Sequence, residues 1–385
     1  MNRPLANPYD HMSERWRDHL PLSDAYVDDK PAKVQRTSRF YSAASLKDKA
    51  VPERQWLVDG LVPQKTVTLF GGDGGTGKSL LALQLAIAVA SGTGWINKAV
   101  TGGRAIFLSA EDDDDELHRR THDILAASCL SYDDLSGLTL RSLAGEDALL
   151  AVDSQVALVQ SELFKELDGR AADEDPALIV IDTLADVYPA NENDRAKVRQ
   201  FIGILRGLAL KRRCAVMLLA HPSLSGLSSG SGTSGSTAWN NSVRSRLYLE
   251  RITDQGFEPD PKARVLRTMK ANYGPTGGEI NLTWNAGVFE AEKQPEGLDR
   301  VAASSKAERV FMKLMAEVTA QGRRVNPSGG ANYAPKLFAA NPGAEGVTKR
   351  AFGAAMETLL RNGRLSIGEE GPPSRRVTFL KFEPE

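Results

Sequence analysis

The stretch TVTLFGGDGGTGKSLLALQLAIAVASG, residues 66–92, restricts the fold more than any other part of the chain. TVTLF alternates β-branched and apolar residues and reads as a strand, while LLALQLAIAVASG is helical in composition. Between them lies G-x-x-x-x-G-K-S, with Gly72, four residues, then Gly77, Lys78 and Ser79. Glycines let successive backbone N–H groups turn toward phosphates, and the helix N-terminus adds partial positive charge. Lys78 can reach the β- and γ-phosphates of ATP, and the Ser79 hydroxyl can hold Mg²⁺. The candidate binding residues are therefore Gly72, Asp73, Gly74, Gly75, Thr76, Gly77, Lys78, Ser79 and Leu80.

Such a loop needs a carboxylate on a neighbouring strand for the metal. PALIVIDTLAD supplies Asp182 at the end of a continuously apolar strand, the pattern of a parallel sheet covered on both faces. Asp182 is followed by Thr183, so no acid sits directly beside it to activate water. A second strand, RAIFLSAED (104–112), ends in Glu111, the candidate general base. The acidic run Asp113 to Glu116 reads as a solvated helix start.

Strands are expected at 66–70, 104–109, 138–141, 178–182 and 214–220, with helices at 78–90, 114–127, 151–168 and 194–210. This alternation predicts an α/β fold with a mostly parallel central sheet and right-handed crossovers. Val198, Phe201, Ile202, Leu205 and Leu208 recur at helical spacing and are core.

AVMLLAH (215–221) is a further buried strand, and its last residue, His221, can contact a γ-phosphate or its water. The Ser/Gly-rich run after it resembles a spacer, but strand and helix patterns resume at TAWNNSVRSRLYLER and KARVLRTMKANYGPTGGEINLTW. It is therefore expected to be a loop within one domain that moves with nucleotide state. Arg244, Arg246, Arg267 and Lys270 are the cations near it, and Arg267 with Lys270 are candidates to act in trans on a neighbouring subunit's nucleotide.

At 385 residues and a net charge of -1 the chain is no basic nucleic-acid coat, although a local patch can still meet DNA. Cys129 and Cys214 fit no metal-ligand spacing and read as inert thiols. No apolar run suffices to span a bilayer, so the expectation is a cytoplasmic protein with no membrane partner.

Residues 1–50 are expected to form an extended polar arm, 51–292 the ATP-binding domain, and 293–303 a linker. The order of helices and a two-stranded wing across 304–385 resembles a winged helix-turn-helix. Lys349, Arg350, Arg361, Arg364, Arg375 and Arg376 would give it a basic face.

Residues 51–290 resemble the RecA-like P-loop ATPases of the RepA hexameric replicative helicase group, found in phages, plasmids and prophages. WLVDGLVPQKTVTLFGGDGGTGKS resembles the group's entry strand and phosphate loop, FLSAEDDDDELHRR its glutamate strand at Glu111, and LIVIDTLAD its metal-aspartate strand at Asp182. AHPSLSG with GSTAWNNSVRSRLYLE resembles the strand-end histidine and its loop, and RVLRTMKANYG the strand with trans-acting Arg267 and Lys270. The resemblance implies a RecA-like fold, a homohexameric ring that hydrolyses ATP, and central loops that grip single-stranded DNA. His221 would report nucleotide state to those loops, and a replication protein would be a further partner.

Residues 222–237 contain no Lys, Arg or aromatic, so base stacking and counterion release must come from elsewhere. The leading expectation is an ATPase coupled to DNA binding or unwinding in replication. The alternative is a regulatory or loader ring acting on a protein client without helicase activity. A DNA-binding module with a relic nucleotide site is disfavoured by the intact set Lys78, Ser79, Glu111 and Asp182.

Overall fold

A computed structural model describes residues 40–154, 156–221, 237–253, 257–274, 276–292, 297–330, 332–370 and 376–382. The Ser/Gly run at 222–236, most of the expected arm (1–39) and Arg375 lie outside the described residues. The chain divides into a unit Met1–Glu53 and a unit Arg54–Glu385. In the first, the described residues are exposed and include one short 3-10 turn, Ala43–Leu46, capped by the Ser42 hydroxyl.

The second unit opens with the pair β1 (Trp56–Val58) and β2 (Val62–Pro63), followed by β3 (Val67–Gly72) and α1 (Lys78–Ser91). Then come β4 (Ala105–Ser109), α2 (Asp114–Ser128) and β5 (Leu138–Ser142). A small hairpin, β6 (Ala151–Asp153) with β7 (Leu158–Gln160), precedes α3 (Glu162–Glu174). This corrects the helix expected at 151–168. The β-branched Val152 and Val159 pair across the hairpin, and the helix starts only where the Ser161 hydroxyl accepts from Phe164 N at 3.1 Å.

The series continues with β8 (Leu178–Asp182), α4 (Leu184–Val187), α5 (Arg195–Arg212), β9 (Ala215–Ala220) and α6 (Thr237–Ser242). Strands β10 (Ser245–Arg251), β11 (Ala263–Ala271), β12 (Glu279–Asn285) and β13 (Val288–Ala291) complete the nucleotide-binding part.

These strands form one nine-stranded sheet in the order β13-β12-β11-β10-β3-β9-β8-β4-β5. It is a mixed sheet: β10 through β5 pair in parallel, whereas β11, β12 and β13 extend the β10 side antiparallel. The central strands are buried along their whole length, which is why they read as unbroken apolar runs. One face packs on α1 and α2 through Leu81, Leu85 and Ile124, and the other on α3 and α5 through Phe164, Phe201 and Leu205. The indole N–H of the buried Trp95 donates to Leu81 O at 3.0 Å, so burying its ring strands no donor.

A third apolar cluster, around Phe311, Phe338 and Phe352, sits in the C-terminal segment. There α7 (Gly297–Ala320), α8 (Ala334–Ala339) and α9 (Lys349–Arg361) precede the antiparallel pair β14 (Leu365–Glu370) and β15 (Val377–Phe382). Helix α7 begins inside the stretch expected to be a linker. Among the described residues no helix is long and apolar enough to cross a membrane.

Candidate active site

Strand β3 delivers the chain to the carboxyl edge of the sheet, and the loop Asp73–Gly77 turns it into α1. Gly72 must be glycine because a Cβ there would drive into Leu249 O and crowd the Lys78 side chain. Gly77 combines φ +93° with the ring of Phe289, which a Cβ would meet at 2.5 Å. The Gln84 side chain holds that ring's residue from both ends, donating to Phe289 O at 3.0 Å and accepting from Phe289 N at 2.9 Å.

Lys78 is 5% exposed, and its ammonium donates to Asp73 O at 3.0 Å. Burial lowers its pKa, against the opposing pull of Asp182, Glu111 and Asp73. His221 Nδ1 stands 3.3 Å from Lys78 Nζ, and His221 Nε2 stands 3.3 Å from Glu111 Oε1. A lysine ammonium can only donate, so Nδ1 is the accepting nitrogen of the Lys78 contact. Lys78, His221 and Glu111, chosen from three separate motifs, are thus in one line of contact.

Asp182 ends β8 and is 2% exposed. Burial, reinforced by Glu111 and Asp112, pushes its pKa up to about 7, against a lowering hydrogen bond from Ser79 and the charge of Lys78. Its Oδ2 is buried without a hydrogen-bond partner among the described residues. A buried carboxylate with an unmatched oxygen, hydrogen-bonded to a hydroxyl, fits a hard divalent cation with oxygen ligands.

Glu111 lies two residues past β4, with its side chain 45% exposed, so water has access to it. Its neighbours serve structure instead. Asp112 is tied to Arg120 at 2.5 Å, and Asp113 caps α2 by accepting from Glu116 N at 2.7 Å. The phosphate loop, Glu111 and His221 line a cleft of about 550 Å³, together with Arg120, Arg264 and Trp284.

Arg267 and Lys270 are on β11 and do not line that cleft. The Arg267 guanidinium bridges Glu250 and Glu279, and Lys270 donates to Asn240 O at 2.6 Å. Burial, then the nearby Arg244, lowers the Lys270 pKa. Of the basic residues in the C-terminal segment, Arg350 donates to Glu279 O at 2.9 Å and Arg376 pairs with Glu369 at 2.9 Å.

Sequence reasoning missed four residues that bear on the loop: Tyr248, Arg251, Glu258 and Arg264. The Tyr248 hydroxyl donates to Asp73 Oδ1 at 2.6 Å, and burial first, then this bond, raises its pKa above the usual tyrosine range. Their relation to the loop depends on β10 lying beside β3, with Tyr248 opposite Gly71, a pairing that no local pattern announces.

A mixed sheet with a phosphate loop after one inner strand and an aspartate ending another defines a RecA-like P-loop ATPase. The chain belongs to the AAA-domain family, whose model, described as "AAA domain", matches residues 32–226, and it is an ATP hydrolase. It is similar to the DNA repair protein RadA of Chlamydia pneumoniae, 22% identical over 246 residues, which are 63% of this chain and 44% of the relative. The chain thus spans less than half the length of that curated relative. Among solved structures it is similar to the crystal structure of the RadB recombinase, with a TM-score of 0.41 and 17% identity over 61% of this chain and 93% of that one.

The curated relative corrects the expectation of a RepA-type replicative helicase: the likeness is to a DNA repair protein. The motifs that suggested the RepA group are those that nucleotide binding and cleavage demand in any ATPase of this class.

Proposed function

We propose that this ATPase hydrolyses ATP at the Lys78–Asp182–Glu111 cluster and couples the cycle to binding DNA, as an assembly of identical subunits. The buried, unmatched Asp182 oxygen beside Lys78 carries the assignment of the site. Lys78 and the N–H groups of residues 74–79 would hold the phosphates. Ser79 and Asp182 would hold Mg²⁺, which supplies positive charge to the phosphate oxygens. Glu111 takes a proton from the attacking water as its oxygen bonds to the γ-phosphorus. The bond to the bridging oxygen breaks, leaving ADP and inorganic phosphate. His221, in contact with both Lys78 and Glu111, would register whether phosphate is present.

DNA as partner is supported by the likeness to a protein named for DNA repair. The helix order and β14–β15 pair of residues 304–385 support a winged-helix reading, with Lys349, Arg361 and Arg364 available for phosphate contacts. Arg267 and Lys270 would act across a subunit boundary by leaving their present partners. A second reading, an ATPase acting on a protein client, is favoured by the engagement of Arg350 and Arg376 within the chain.

One experiment separates these readings: ATP turnover with and without single-stranded DNA, for the native protein, Lys78→Ala and Glu111→Gln. Both variants should lose turnover by about 10²-fold or more, and DNA should stimulate the native protein. Turnover surviving Glu111→Gln would remove Glu111 as base. Absence of any DNA effect would favour the protein client. Mixing Lys78→Ala with Arg267→Ala subunits should restore part of the activity if Arg267 acts in trans, and no restoration would end that role.

A further inference from the structure

Each outward face of the phosphate loop has a donor waiting for it. Arg251 reaches in from the end of β10, its terminal nitrogen 3.2 Å from Gly74 O and 3.3 Å from Gly75 O. Arg264, on β11 and 8% exposed, donates from Nε to Thr76 O at 3.3 Å. Glu258, in the segment joining these strands, accepts from Arg264 at 2.8 Å and lies 3.7 Å from Arg251. The next donor along β10, Tyr248, fixes the Asp73 side chain at 2.6 Å.

The consequence follows from the planarity of the peptide unit. In a trans peptide the C=O and the following N–H point in opposite directions. A guanidinium that fixes the Gly74 carbonyl outward therefore turns the Gly75 N–H to the opposite side, and fixing the Thr76 carbonyl does the same for the Gly77 N–H. A glycine-rich loop has little torsional preference of its own, so an outside brace must choose the orientation. Ordering those amides before phosphate arrives removes an entropic cost from binding.

We propose that Arg251 and Arg264, linked by Glu258, are positioning residues that preset the phosphate loop of this ATPase for nucleotide binding. They act through loop carbonyls in their own subunit, distinct from any cation supplied by a neighbour. A guanidinium suits this work because its planar fork serves a carbonyl and a carboxylate together, which a lysine ammonium does with less fixed geometry. This inference rests on the reading of residues 72–79 as the phosphate cradle.

The test uses the full chain and a fluorescent N-methylanthraniloyl-ADP, with KM and kcat for ATP measured in parallel. Arg251→Gln, Arg264→Lys and Glu258→Ala should each weaken ADP analogue binding and raise KM by about tenfold, while kcat at saturating ATP stays within about twofold. Glu258→Gln keeps a hydrogen-bond acceptor at that position and should lie nearer the native values. Unchanged affinity in folded variants, or a fall in kcat at unchanged KM, would overturn the proposal. Should Arg264→Lys fail to fold, the more exposed Arg251→Gln decides the matter alone. Lys78→Ala is the control. If it binds the analogue as tightly as the native chain, the phosphate-cradle reading itself fails. If it loses binding while the arginine variants keep it, only the positioning role fails.

Discussion

The Lys78 ammonium lies 3.3 Å from His221 Nδ1, although 143 residues of chain separate the two. On the proposed reading, Lys78 gives up part of this contact when it grips a phosphate, and the imidazole would register the nucleotide. His221→Ala should therefore lower kcat by about tenfold through the loss of Glu111's neighbour, with ATP affinity within about threefold of native. Steady-state kinetics at several ATP concentrations read both quantities, and an unaltered kcat would sink this role.

Two loop glycines should respond differently to the same added methyl group. Gly74 has open space where a Cβ would go, whereas Gly77 has φ +93° and the Phe289 ring at 2.5 Å. Gly77→Ala should cost about 1–3 kcal/mol or more of stability and abolish nucleotide binding, and Gly74→Ala should be close to neutral in stability. Denaturant titration compares them. Equal stability of the two variants would contradict the packing described for α1 and β13.

The buried Cys214 thiol provides a pH signature. Burial pushes its pKa from 9.0 up to about 12, so the folded chain keeps a proton that the unfolded chain releases. Stability should then fall as pH rises from about 9 toward 12, and Cys214→Ala should remove part of that fall. At pH 8 iodoacetamide should modify the exposed Cys129 and spare Cys214 until the protein unfolds. Two thiols reacting at equal rates in the native state would show that Cys214 is not enclosed.

Much of the site was legible because its chemistry is compressed into strand ends. Asp182 closes an apolar run, Lys78 follows a glycine loop, and both kept those positions in the fold. The hairpin at 151–160 was misread as helix because Leu, Val and Ala near a helical stretch suit either structure, and only the Ser161 cap marks the true start. Arg251 and Arg264 were invisible as loop partners for a different reason. Their meaning depends on a parallel pairing of β10 with β3, strands far apart in sequence. The family assignment went astray for a third reason, since motifs dictated by ATP chemistry recur wherever that chemistry does.

The order of strands also sets a timetable for synthesis. Strand β3 sits between β9 and β10, and its glycine loop is wedged by Phe289 from β13, more than two hundred residues downstream of Gly77. A nascent chain that has emerged only as far as residue 226, where the AAA-domain match ends, already carries every residue of the nucleotide motif. It still lacks β10 through β13, and with them Tyr248, both arginines and the Phe289 wedge. Because such non-local pairings form late, the braced form of the phosphate loop belongs to the finished sheet rather than to the first ribbon of it.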